Sequence, residues 1–127
     1  MRENKITVII DKPIDEVFEF TTNPQNTDLW VPFISKETSS EYPPQIGTIY
    51  KSCRENNSWS EMKVVEFENN KKFVISDFDE NLFVKYFYRY LDKNKTELEY
   101  SDWMTDKDFD SPITKDVLKN LKKIMER

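Results

Sequence analysis

Three stretches of this chain place chemically competent side chains at every second position. Tyr50, Ser52 and Arg54 form one row, and Tyr86, Tyr88 and Tyr90 form another. Leu98, Tyr100, Asp102 and Met104 form a third, and Met62 and Val64 add a shorter one. A spacing of two puts each row on one face of a β-strand. Tyrosine combines ring surface with a hydroxyl. A row of them can cover an apolar body and hydrogen-bond a phenol, a ketone or a carboxylate. Arg54 could receive a carboxylate through two parallel hydrogen bonds. Asp102 could take a proton from an activated carbon, or orient a tyrosine hydroxyl. Two bland alternatives stand beside these roles: an Arg54–Asp102 ion pair, or side chains that reach to the rim for water.

Other chemistries are closed to the chain. It has no histidine, and Cys53 is its one cysteine. That excludes a Cys/His zinc set, a Ser-His-Asp triad, an imidazole switch and an intrachain disulfide. Cys53 alternates away from Ser52 and Arg54 and lacks a histidine base, so it reads as packing. Asp77, Asp79 and Glu80 lack the spacing and glycine of a calcium loop and read as a solvated turn. No metal and no cofactor is expected.

Charge and hydropathy narrow the partners. The net charge is −5 and the pI about 4.9, with no dense basic face for a nucleic acid. Lys115, Lys119, Lys122, Lys123 and Arg127 fall along a helix whose C-terminal dipole favours cations. There is no run of about 18 apolar residues, so no membrane span is expected. The opening residues are polar rather than a signal peptide, and a cytoplasmic protein is the expectation.

The elements that must position these rows can be read along the chain. Its 127 residues suit one domain, 1–127. Hydrophobic residues make up 37% and aromatics 14%, enough for one core built largely of rings. Lys5 to Ile10 predicts a strand with Ile6, Val8 and Ile10 on one face. A helix follows, with Asp11 as N-cap, Pro13 near its first turn, and Ile14, Val17, Phe18 and Thr21 on its apolar stripe. Asn23-Pro24 ends it, and Pro32 stops a second short helix just after Trp30. Strands are predicted at Ile34 to Ser40, Thr48 to Arg54, Ser58 to Phe67, Lys72 to Asp77, Leu82 to Leu91 and Thr96 to Met104. Short Asn- and Asp-rich turns join most of them, which implies an antiparallel meander. Gly47, the one glycine, is expected at a positive φ. Ser111 as N-cap and Pro112 as first residue predict the last helix, with Ile113, Val117, Leu121 and Ile124 on its apolar stripe. Helices gathered on one side of such a sheet make an α+β fold: a curved antiparallel sheet of about seven strands wrapped around the C-terminal helix.

The opening of the chain resembles the START-like (SRPBCC) superfamily of helix-grip proteins. Pro13, Val17, Phe18, Asn23-Pro24, Trp30 and Pro32 match its strand, Pro-x-x-x-Val-(Trp/Phe) helix, Asn-Pro break and Trp-x-Pro ending. Gly47-Thr48, Val64-Val65-Glu66-Phe67 and Thr96-Glu97-Leu98 resemble later landmarks. The chain is most similar to the polyketide cyclase/dehydrase-like branch. Two features depart from the pattern. Lys93-Asn94-Lys95 stands where a Gly-Gly is usual, and the terminal helix is short, which implies a smaller or more open cavity.

Registration with the family puts Tyr50, Arg54, Met62, Tyr86, Tyr88, Tyr100 and Asp102 on the concave wall. Leu82 to Leu91 is apolar on both faces, so a one-residue slip would swap Phe83 and Phe87 for the tyrosines. The resemblance implies binding of a small hydrophobic or aromatic molecule between the C-terminal helix and the sheet. The runner-up is a cyclase/dehydratase-like enzyme steered by tyrosines, Arg54 and Asp102, and the third reading is an interaction module resembling the co-chaperone activator group. Trp30 reads as packing between helices and sheet. Trp59 and Trp103 are expected on the convex face, where an exposed aromatic pair could mark a homodimer surface.

Overall fold

The computed structural model describes residues 3–127. Seven strands form one antiparallel sheet: β1 (Asn4–Ile10), β2 (Ile34–Ser39), β3 (Ile49–Arg54), β4 (Trp59–Glu68), β5 (Lys72–Ser76), β6 (Leu82–Asp92) and β7 (Lys95–Met104). Their spatial order is β1-β7-β6-β5-β4-β3-β2, so β1 crosses over to join the end of a meander. Three helices, α1 (Ile14–Thr22), α2 (Thr27–Trp30) and α3 (Lys115–Met125), lie on the concave face.

Local chemistry explains most boundaries. Asn57 and Asn70 take positive φ of 66° and 60° in their turns. Their short amides tolerate the left-handed region. In the β5–β6 turn it is Glu80, at φ 54°, that takes this conformation rather than Asn81. Gly47 has φ 96°, as its unique use foretold, and its N–H donates to Val64 O at 2.8 Å, tying the entry of β3 to β4.

Two helix starts differ from expectation. Pro13, not Asp11, occupies the N-cap of α1. Asp11 instead gives its N–H to Glu126 at 2.7 Å, joining the chain after β1 to the end of α3. α3 starts at Lys115 behind Thr114 rather than at Pro112. Ser111, the expected cap, accepts the Ile113 N–H on its hydroxyl oxygen at 3.0 Å while donating to Asp102 at 2.5 Å, but the helix proper begins only after Thr114.

The core is a continuous apolar cluster between the helices and the sheet. Ile10, Val17, Leu98, Leu118 and Leu121 are completely buried within it. Rings interlock at its centre: Phe18 meets Tyr88 edge-on at 4.9 Å and Phe67 at 5.6 Å. Edge contacts of this kind favour packing beyond their area. α3 packs against β1 and α2, α1 against β6 and β7, and α2 against β2. The helices therefore reach both flanks of the sheet, and α1 also meets β3 and β4 through Tyr50–Thr22 and Phe18–Phe67. Part of the concave face around Met62, Ile75 and Val84 borders open space instead.

Candidate functional site: a cavity beside the C-terminal helix

Cross-strand pairing fixes which rows face inward. Tyr86 lies opposite Tyr100, Val84 opposite Asp102 and Tyr88 opposite Leu98. Tyr50 lies opposite Met62, and Phe73 opposite Tyr86. The tyrosine row of β6 thus faces the core, and Phe83 and Phe87 face outward. Tyr90 is the exception: it is 64% exposed, beyond the end of the helix layer and next to an irregularity between Tyr90 and Asp92.

A cavity of about 280 Å³ opens where the helices stop. β2 to β7 floor it, and α2 with residues 109–113 covers it. Met62, Ile75, Val84 and Ile113 supply apolar wall, while Phe33, Tyr86, Tyr100 and Phe109 supply rings. Exposed Arg54, Ser60, Glu61 and Pro112 form its rim. Its size approaches the lower end of ligand pockets, which typically run from about 300 Å³ upward. The space lies beside α3 rather than beneath it. Val117, Leu118 and Leu121 seal the helix onto the sheet, and none of them lines the void.

The seven residues singled out from sequence divide accordingly. Arg54, Met62, Tyr86, Tyr100 and Asp102 line the cavity. Tyr50 and Tyr88 do not: they are 3% and 2% exposed, inside the packed core. Tyr50 donates to Thr22 O at 2.6 Å. Tyr88 meets the Thr21 hydroxyl at 2.6 Å, and Thr21 in turn donates to Val17 O. Their hydroxyls are consumed in pinning α1 to the sheet. Burial raises the pKa of all four inward tyrosines, Tyr50, Tyr86, Tyr88 and Tyr100. They remain neutral phenols able to donate.

Asp102 is 1% exposed and fully engaged. It accepts from Asn4 Nδ2 at 2.9 Å, Tyr100 OH at 2.8 Å and Ser111 Oγ at 2.5 Å. These donors come from β1, β7 and the approach to α3. No Arg54–Asp102 pair forms; the Arg54 guanidinium instead sits 4.8 Å over the Phe33 ring. Trp30 is 1% exposed and edge-on to Tyr86 at 6.4 Å, and its Nε1 has no hydrogen-bond partner among the described residues. Cys53 faces away from the wall, opposite the exposed Trp59. Trp103 stacks on Phe83 at 5.4 Å.

Sequence reasoning missed Glu37. Strict alternation from Ile34 would turn Glu37 outward. A bulge between Ile34 and Lys36 inserts Ser35 into β2 and reverses the phase, so that Ile34 and Glu37 both line the cavity. Glu37 then lies opposite Ser52, which donates to it at 2.6 Å, and Thr27 donates to its other oxygen at 2.5 Å. Burial pushes its carboxyl above the ordinary value, and the two hydroxyls only partly offset that. Bulges leave no strong mark in sequence, so no signal on β2 would have exposed this residue.

Other solved structures share this architecture. The chain superposes on an uncharacterized protein from Bacillus thuringiensis with a TM-score of 0.77 at 13% identity, covering 99% of this chain and 100% of that one. The Aha1 dimer from Colwellia psychrerythraea gives 0.64 at 13% identity, over 98% and 90% of the two chains. The di-domain ARO/CYC protein BexL, from the BE-7585A biosynthetic pathway, gives 0.66 at 12% identity, over 82% of this chain and 36% of that one.

The fold is a helix-grip.

At such identities the similarity is one of fold and carries no activity with it. No protein-family profile matches the sequence, and no curated protein matches it. Among the described residues, no helix is long and apolar enough to cross a membrane.

Proposed function

We propose that residues 1–127 act as one START-like domain of the polyketide cyclase/dehydrase-like branch that binds a small apolar or aromatic molecule in the cavity beside α3. The observation that carries this reading is the Tyr86 hydroxyl. It borders a mostly apolar void and has no hydrogen-bond partner among the described residues, whereas the hydroxyls of Tyr50, Tyr88 and Tyr100 are each engaged. A polar group left open on an apolar wall is the arrangement that orients a ligand. Arg54, Met62, Tyr100 and Asp102 complete the binding residues carried over from the sequence, and Glu37 joins them. Tyr50 and Tyr88 support the wall from behind.

An enzyme of the cyclase/dehydratase kind would draw on Arg54 and Asp102. Asp102 already holds three donors and Arg54 sits at the rim, which favours binding over catalysis. An interaction module like the co-chaperone activators would use the convex face, where Trp59 is 54% exposed. A homodimer through that face would use the same surface.

The test is titration with N-phenyl-1-naphthylamine, a neutral probe that brightens in apolar surroundings. Saturable one-site uptake, weakened in Tyr86→Phe, is expected. Absence of saturable uptake, together with a bare protein mass under native conditions, would refute the binding reading.

A further inference from the structure

The charges around the cavity are lopsided. Glu37, Glu61, Asp77 and Asp102 border it against a single cation, Arg54. Two of these have internal work. Asp102 holds its three donors, and Asp77 accepts the N–H groups of Asn81 and Leu82 at 2.8 and 3.1 Å, closing the β5–β6 turn. Glu61 stands exposed at the rim.

Glu37 holds fewer donors than Asp102 and, unlike Asp77, closes no turn. Its partners are two neutral hydroxyls, and among the described residues no lysine or arginine pairs with it. Each oxygen accepts one hydrogen bond and keeps acceptor capacity free. A carboxylate withdrawn from water without a counter-ion is costly. Tyr86 lies close enough for the Glu37 charge to help hold its phenol protonated, behind the larger effect of burial.

We infer that the molecule this cavity takes carries a protonated amine, seated on Glu37 beside the Tyr86 hydroxyl, with its apolar or aromatic body against Met62, Ile75 and Val84. The inference rests on the binding reading above and names its ligand class. An ammonium brings three donors, enough to use both Glu37 and the Tyr86 oxygen. The rings of Tyr86 and Tyr100 line the same cavity. A ligand carboxylate would meet Glu37 as a like charge, with Arg54 available only at the rim.

Calorimetry on the full chain with three phenyl-bearing probes separates the possibilities: 2-phenylethylamine, 2-phenylethanol and 3-phenylpropionate at neutral pH. The amine is expected to bind at least about tenfold tighter than the alcohol, with the carboxylate weakest. In Glu37→Gln the amine should lose its advantage over the alcohol. Added salt should weaken the amine alone, a check that needs no variant. If the alcohol or the carboxylate matches the amine, or if the amine fails while N-phenyl-1-naphthylamine binds, the cation inference falls and the cavity reading stands. If neither the neutral probe nor any of the three binds, both fall.

Discussion

Asp102 and Arg54 carry opposite formal charges and both border the cavity, yet the structure uses them in unrelated ways. Asp102 gathers donors from three separate segments, so its side chain acts as a knot. Asp102→Ala would leave Asn4, Tyr100 and Ser111 without their acceptor, at a cost of about 3 kcal/mol in urea denaturation. Arg54→Ala, at an exposed rim, should cost about 0.5 kcal/mol or less in the same assay. Glu37 has a pH signature of its own. Its folded pKa lies above the ordinary glutamate value of 4.5. Between those two values the folded state binds more protons than the unfolded chain. Its contribution to stability is therefore best below pH 4.5, worsens as pH rises through the raised folded pKa, and is level above it. Glu37→Gln removes this cost. The stability difference between variant and wild type should grow as pH climbs from 4 toward neutrality and then flatten. A difference independent of pH would show that Glu37 is not desolvated.

Elements here combine local rules with distant partners. At the approach to α3, the Ser111 oxygen accepts the Ile113 N–H while its proton goes to the buried Asp102 carboxylate, a charge-assisted bond. The helix begins three residues later than Pro112, and Ile113 covers the cavity. Gly47 shows a purely local rule. Nothing lies within 4 Å of a Cβ built on it, so the cost of Gly47→Ala comes from φ alone. Thermal or chemical denaturation should show a loss of about 1–2 kcal/mol. A neutral result would mean the turn has an alternative conformation. On β2, the Ser35 bulge does what no residue preference announces: it turns a carboxylate from solvent to the cavity.

At the scale of the molecule, three helices cover a seven-stranded concave face unequally, and the uncovered part becomes the cavity. Space of this kind can be filled without disturbing the layers around it. Val84→Trp, on the wall next to Tyr86, should abolish uptake of the fluorescent probe while stability changes by no more than about 1 kcal/mol. Uptake that persists in this variant would place the probe elsewhere, for instance on the exposed Trp59 and Phe78. The same uneven cover explains why the inward row of β6 splits. Tyr88 lies beneath α1 and is solid core, whereas Tyr86, two residues away, lies at the border of the void.

The face of β6 was open to a one-residue slip, whereas the order of elements, the α+β class and the positive φ at Gly47 were legible in the sequence. Each rests on periodicity or on a backbone preference that acts within a few residues. Whether an inward tyrosine packs or lines space, where Ser111 spends its hydroxyl, and that Glu37 faces inward were settled only by the tertiary structure. Those outcomes depend on which segment lies across the sheet and on one inserted residue in an edge strand. Such contacts join positions up to about a hundred residues apart, as Asn4 and Asp102 are, and no local pattern encodes them.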